Sequence, residues 1–204
     1  MKLIKWKTLL ITSLVCLVPI LFGVMLWNYL PDSIAIHFDI NNNPDNFAPK
    51  GVAVFLLPFM MAFMQAFCCV VNDINSAKKG EVKKFERAVK WIIPSMSIIL
   101  QAVTFAFALG FMVDIRRVAA FIVGVVLILV GNYMPKLNYV KNRNYEPDTA
   151  RKINRFMGFG SVIMGVLFLI SILLPPVATI CVLVLLVPYV IISTVYGIKV
   201  GKGK

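Results

Sequence analysis

The residues able to do chemistry are few, and most lie in one polar interruption of an apolar chain. Between Leu30 and Lys50 stand His37, the only histidine in the sequence, and Asp39, Asp45 and Lys50. An imidazole beside a carboxylate can begin a metal site or hold a loop. Neither a cysteine nor a second histidine accompanies this pair, so a metal site is not expected. The His37–Asp39 pair, on one face of the strand, is expected to fix the loop by hydrogen bonds that reach Lys50 or Asp45. His37, Phe38, Asp39, Asp45 and Lys50 are the candidate recognition surface or its frame. Cys16, Cys68, Cys69 and Cys181 fall within apolar stretches and read as buried thiols, not as zinc ligands or disulfides. An intramembrane hydrolase needs a nucleophile with a base, or two carboxylates, at depth. The apolar stretches offer neither, so no catalytic, cofactor-binding or metal-binding residues are assigned. Gln65, Gln101, Thr104 and Ser95 are the main polar residues inside them. Neutral side chains there are read as glue between helices, not as a transport path.

These groups must be positioned by membrane helices. The 204 residues are 60% hydrophobic and 15% charged, with a mean hydropathy of +0.86. A soluble domain is about 45–50% apolar and about 25% charged. A soluble enzyme, a disordered basic tail and a disulfide-rich secreted domain are excluded. Six stretches reach membrane length, near 8–30, 51–71, 91–113, 117–133, 156–174 and 176–198. One helix over 156–198 would be about 64 Å long, roughly twice the hydrocarbon core. The tract must fold back, and Pro175-Pro176 is the break. The expected fold is all-α: one six-span domain over 1–204, with a short extended outer loop between the first two helices. The first span reads as an uncleaved signal-anchor.

Charge sets the expected orientation. Of the 21 Lys and Arg, 18 lie before the first span, between spans two and three, between four and five, or after the sixth. Positive segments stay in the cytoplasm, so both termini are expected inside. The net charge of +12 is then topology plus attraction to anionic membrane lipids, and no nucleic-acid partner is needed.

Local patterns add detail. Ile34, Ile36, Phe38 and Ile40 alternate with Ala35, His37 and Asp39, which predicts a strand, and the Asn-rich stretch after it predicts a turn. Ala102, Ala106 and Gly110, like Ala120 and Gly124, are spaced for close helix approach. Val82, Phe85 and Val89 share a helical face, Glu86 and Lys90 are spaced as an i,i+4 pair, and Trp91 follows. This predicts an amphipathic helix on the inner leaflet. Asp148 predicts a helix start before Arg151 and Arg155.

Two segments carry a resemblance. Leu30-Pro31, then Ile34-Ala35-Ile36-His37-Phe38, a turn, and Lys50 opening a helix that contains Pro58 resemble the LPxxIPxHF…G…D…K signature. Gly131-Asn132-Tyr133-Met134-Pro135-Lys136 is similar to a GNxMPK motif that closes a fourth span. Both belong to the SdpI/YfhL family of Gram-positive membrane proteins. Ala35 stands where that signature has its second proline, and Asn154 where a later stretch has histidine. The resemblance implies a six-span protein with a protective role. It would bind or block a secreted membrane-active toxin peptide, or bacteriocin, at the cell membrane. It also implies Gly131, Asn132, Met134, Pro135 and Lys136 as motif residues, and Arg143, Arg151 and Arg155 as candidate contacts in the cytoplasmic loop. The alternative is a membrane sensor that sequesters a cytosolic transcriptional regulator, with a small-solute transporter third.

Overall fold

The computed structural model describes residues 4–79, 83–136 and 147–202. In chain order the elements are α1 (Trp6–Met25), β1 (Ser33–Phe38), β2 (Pro44–Pro49), α2 (Lys50–Lys79), α3 (Lys83–Ala108), α4 (Ile115–Tyr133), α5 (Pro147–Ser171) and α6 (Pro176–Lys202). A 3₁₀ turn, Met134–Lys136, closes α4. All six helices are long and apolar enough to cross a membrane, one for each expected stretch.

The ends differ where local hydrogen bonding overrides hydropathy. α3 stops at Ala108, short of the expected Val113. The Phe111 N–H donates to the Ala106 carbonyl and the Gly110 N–H to the Phe107 carbonyl, each at 3.0 Å. With Gly110 at φ +88°, this is a Schellman closure, which a left-handed residue makes and an apolar run does not announce. Gly110 therefore ends a helix; no heavy atom lies within 4 Å of where its Cβ would be, and its expected packing role fails. α1 stops at Met25 and turns through Leu26–Leu30, with the Leu30 N–H on the Leu26 carbonyl at 3.0 Å. α5 is helical from Pro147, beside the start that Asp148 predicts and well ahead of the apolar stretch expected from 156.

The chain divides into two compact units: Met1–Ala77 with Glu86–Ile115, and Lys78–Phe85 with Arg116–Lys204. In the first, Leu30, Ile34, Ala53, Val54 and Phe105 form a buried cluster beneath the two-stranded hairpin. Polar side chains tie its helices together beside their prolines. Pro94 has no N–H to give the Lys90 carbonyl, and the Gln65 amide donates to that carbonyl at 2.8 Å. The same amide reaches Thr12 Oγ1 at 2.8 Å. Near Pro19, Ser97 Oγ donates to the Cys16 carbonyl at 2.9 Å. Near Pro58, the Gln101 amide donates to the Ala53 carbonyl at 2.9 Å. Gln65 and Gln101 are glue, as expected; Ser97 takes the role given to Ser95, which is exposed.

The residues from Phe85 to Trp91 are not a separate surface helix but the opening of α3. Glu86 and Lys90 point inward and are buried, because Asp73 and Lys5 supply the charges that make burial tolerable.

In the second unit, α4 and α5 meet through glycines. A Cβ on Gly124 would lie 2.9 Å from the Gly165 carbonyl oxygen, and one on Gly131 2.6 Å from that of Gly158. Ala120, Met164, Phe168 and Val182 form the apolar cluster. The break falls where Pro175-Pro176 placed it, with Pro176 opening α6. Arg116 Nη1 donates to Thr179 Oγ1 at 2.7 Å and lies 3.5 Å from the Ser171 carbonyl. A cation thus sits at the negative end of α5.

Candidate functional site

The hairpin is built from its turn outward. Asp39 Oδ1 accepts the backbone N–H groups of Asn41 at 2.9 Å and Asn43 at 2.7 Å, and Oδ2 accepts the Asn43 amide at 3.1 Å. Such a carboxylate replaces backbone partners in a tight turn. Asn42 takes the left-handed conformation (φ 67°) that asparagine tolerates. The Asn43 N–H holds the Asp39 carboxyl below its ordinary value. Asn42 then clamps the turn, donating to the Val113 carbonyl at 2.9 Å and accepting the Ile115 N–H at 2.8 Å.

The strands pair antiparallel, Ser33 with Pro49 through Phe38 with Pro44, with irregularities on either side of His37. A bulge shifts the faces. Ile34 and Ala35 are both buried, whereas Ile36 and Ile40 are exposed, so the expected alternation breaks. Asp39 leaves the strand for the turn, and His37 pairs with Asp45 instead, Nδ1 to Oδ1 at 2.5 Å. That pair is exposed; the expected His37–Asp39 pairing is replaced, because the Asp39 carboxylate is taken up by the turn. Phe38 meets Phe107 edge to face at 4.6 Å.

Lys50 is a clamp. Its Nζ donates to the carbonyls of Leu30 at 2.9 Å and Trp27 at 3.2 Å, beyond the end of α1. It also pairs with Asp32 at 3.2 Å and lies over the Trp27 ring. Beside the hairpin, a groove of about 180 Å³ is lined by Ile36, Ala48, Val52, Leu56, Met60 and Gln101, among others. Among the described residues, nothing bonds the buried Gln101 Oε1.

The motif residues fall in the other unit. Met134, Pro135 and Lys136 form the 3₁₀ turn, and Lys136 Nζ lies 5.2 Å from the centre of the Tyr133 ring. A Cβ on Gly158 would meet the Gly131 carbonyl, Pro135 and Met134, so the motif shapes the α4–α5 crossing. Arg155 joins Gly131, Asn132 and Pro135 along one groove. Arg151 is exposed on α5. Arg143 lies outside the described residues.

Sequence reasoning missed an ionic cluster in the first unit. Lys90 Nζ bonds Asp73 and lies 2.8 Å from Glu86 Oε1. Glu86 also pairs with Lys5 Nζ, and the Lys5 N–H donates to Asp73 Oδ2 at 3.0 Å. The Glu86–Lys90 spacing was a signal, but Asp73 stood beyond the expected end of its span, with nothing to join it to them.

Residues 14–62 match the profile of a family described as a domain of unknown function, DUF1648, which contains the whole hairpin. The sequence is 29% identical over 128 residues to "Immunity protein SdpI" of Bacillus subtilis (strain 168). That match spans 63% of this chain and 59% of the relative's length. No solved structure matches. The resemblance carried by 30–50 thus has an independent counterpart in the profile match, and this is a multi-pass cell-membrane protein similar to the SdpI immunity protein.

Proposed function

We propose that the protein is a non-enzymatic immunity factor, protecting its cell from a membrane-active peptide by binding it or blocking its insertion. The match to a protein named for immunity carries this reading. The hairpin supports a place for recognition. Ile36, Ile40 and Phe47 are each more than half exposed on it, and the groove beside it is apolar with one unsatisfied amide oxygen. An amphipathic peptide could bury apolar side chains there and donate one hydrogen bond to Gln101. On this reading the hairpin faces outward and both termini inward, in line with the distribution of Lys and Arg.

The test is survival. A sensitive Gram-positive host expressing the chain is challenged with supernatant from cells secreting the cognate peptide. Growth at doses that kill the vector control is the expected result. Death at the control's dose, with normal protein level in the membrane, would overturn the proposal.

A further inference from the structure

Between α4 and α5, beside the Gly131–Gly158 contact, lies a groove of about 420 Å³. Its wall on α5 is Arg155, Phe156, Phe159 and Val162, and on α4 it includes Asn132 and the Pro135 of the closing turn. Arg155, Phe159 and Val162 follow one helical stripe of about 10 Å, and the order along it is one-way. The cation lies toward the helix end, and the aromatic and aliphatic side chains run into the span. No acidic residue lines the groove. Lys136, Arg151 and Lys152 are exposed at the same end of these two helices. Among the described residues, nothing pairs with the Arg155 guanidinium.

We propose that this groove binds one anionic phospholipid, its phosphate on Arg155 and Asn132 and the start of its acyl chains against Phe159 and Val162. The guanidinium fork suits phosphate oxygens, and Asn132 adds an amide donor. The continuous stripe from Arg155 to Phe159 and Val162 favours a lipid over a free anion, because a soluble phosphate would use only its cationic end. The Arg155 guanidinium, with no acidic residue beside it in the lining, selects an anionic over a zwitterionic head. The site is independent of the hairpin and of the immunity reading.

The full chain, purified in a zwitterionic detergent, is melted with added phosphatidylglycerol, phosphatidylcholine or inorganic phosphate. Phosphatidylglycerol should raise the Tm saturably, phosphatidylcholine much less, and phosphate not at all. Arg155→Gln should raise the half-saturating lipid concentration about tenfold, the loss of a charge-assisted contact. Arg155→Lys should fall between. Arg151→Gln removes the same charge outside the groove and should leave the value near that of the wild type. Arg155 is exposed, so its variants fold, and unliganded melting curves check this directly. Equal weakening by Arg151→Gln and Arg155→Gln would mean diffuse attraction to a basic surface. Protection by phosphate alone would mean a soluble-anion site. Either result, or a shift that never saturates, overturns the proposal.

Discussion

Replacing Lys90 with methionine tests whether the ionic cluster is a single balanced unit. The Lys90 side chain is 3% exposed, and that of its partner Asp73 is fully buried. Without the ammonium, the two carboxylates face, among the described residues, only Lys5, whose own side chain is 53% exposed. Removing one partner of a buried pair costs about 3–5 kcal/mol, or at least about a hundredfold in the folded-to-unfolded ratio. The Gln65 bond to the residue-90 carbonyl is unaffected, because it is made to the backbone. Asp73→Leu alone leaves Lys90 and Lys5 sharing the single Glu86 carboxylate, the opposite imbalance, and should cost a similar amount. The double change Asp73→Leu with Lys90→Met leaves Glu86 and Lys5 as a neutral pair. It replaces the other two charges by apolar groups, a swap that is often neutral or better. The double variant should therefore be more stable than either single one, with a coupling of about 3 kcal/mol or more. Unfolding in mixed micelles by titration with a denaturing detergent gives the three differences. Strict additivity, or a Lys90→Met cost below about 1 kcal/mol, refutes the idea that these charges are held together out of solvent.

The remaining predictions concern the hairpin and the crossing. Lys50→Ala frees two carbonyls and should cost about 1–3 kcal/mol, lowering membrane abundance. His37→Ala breaks an exposed pair worth at most about 1 kcal/mol. Lost protection at normal abundance would then assign His37 to recognition; unchanged protection confines it to framing the loop. The folded Asp39 carboxyl titrates below its ordinary value, so the turn's stabilisation is complete above the unfolded value and fades as pH falls through the folded one. Amide shifts of Asn41 and Asn43 should report a midpoint below 3.8, and a midpoint at or above that value refutes the bonding. Gly131→Ala places a Cβ 2.6 Å from a backbone oxygen and should destabilise by about 1–3 kcal/mol in the same unfolding assay.

Hydropathy and proline gave six helices and the break at Pro175-Pro176, because crossing a hydrocarbon layer needs only length and apolarity. The first strand and the turn were legible from alternation and asparagine, whereas the second strand, Pro44–Pro49, reads in the sequence as part of the turn. The register was not legible: the irregularity beside His37 leaves no mark in composition, yet it separates Ile34, which is buried, from Ile36 and Ile40, which are exposed. The same limit applied to Gly110, whose role depends on the sign of φ, and to Asp73. That carboxylate acquires partners only when α1, α2 and α3 assemble. Lys50 was singled out with the hairpin, but its role as a clamp was hidden, since its carbonyl partners belong to a turn that hydropathy had assigned to helix. The motif at Gly131–Lys136 was visible as a word; its use as a helix crossing required Gly158 from α5.

The glycine contacts between α4 and α5 also have a mechanical consequence. Gly124 meets Gly165 and Gly131 meets Gly158, two tight points about 10 Å apart along antiparallel rods. A slide of one helical turn, about 5.4 Å, would carry both glycines off their partners at once and drive side chains into backbone. Tyr189 of α6, packed over Gly160 with its hydroxyl on the Met157 carbonyl at 2.7 Å, pins the third rod to the second. Piston motion is thereby blocked in this half of the protein, and whatever displacement it transmits must travel as a tilt of the three rods together.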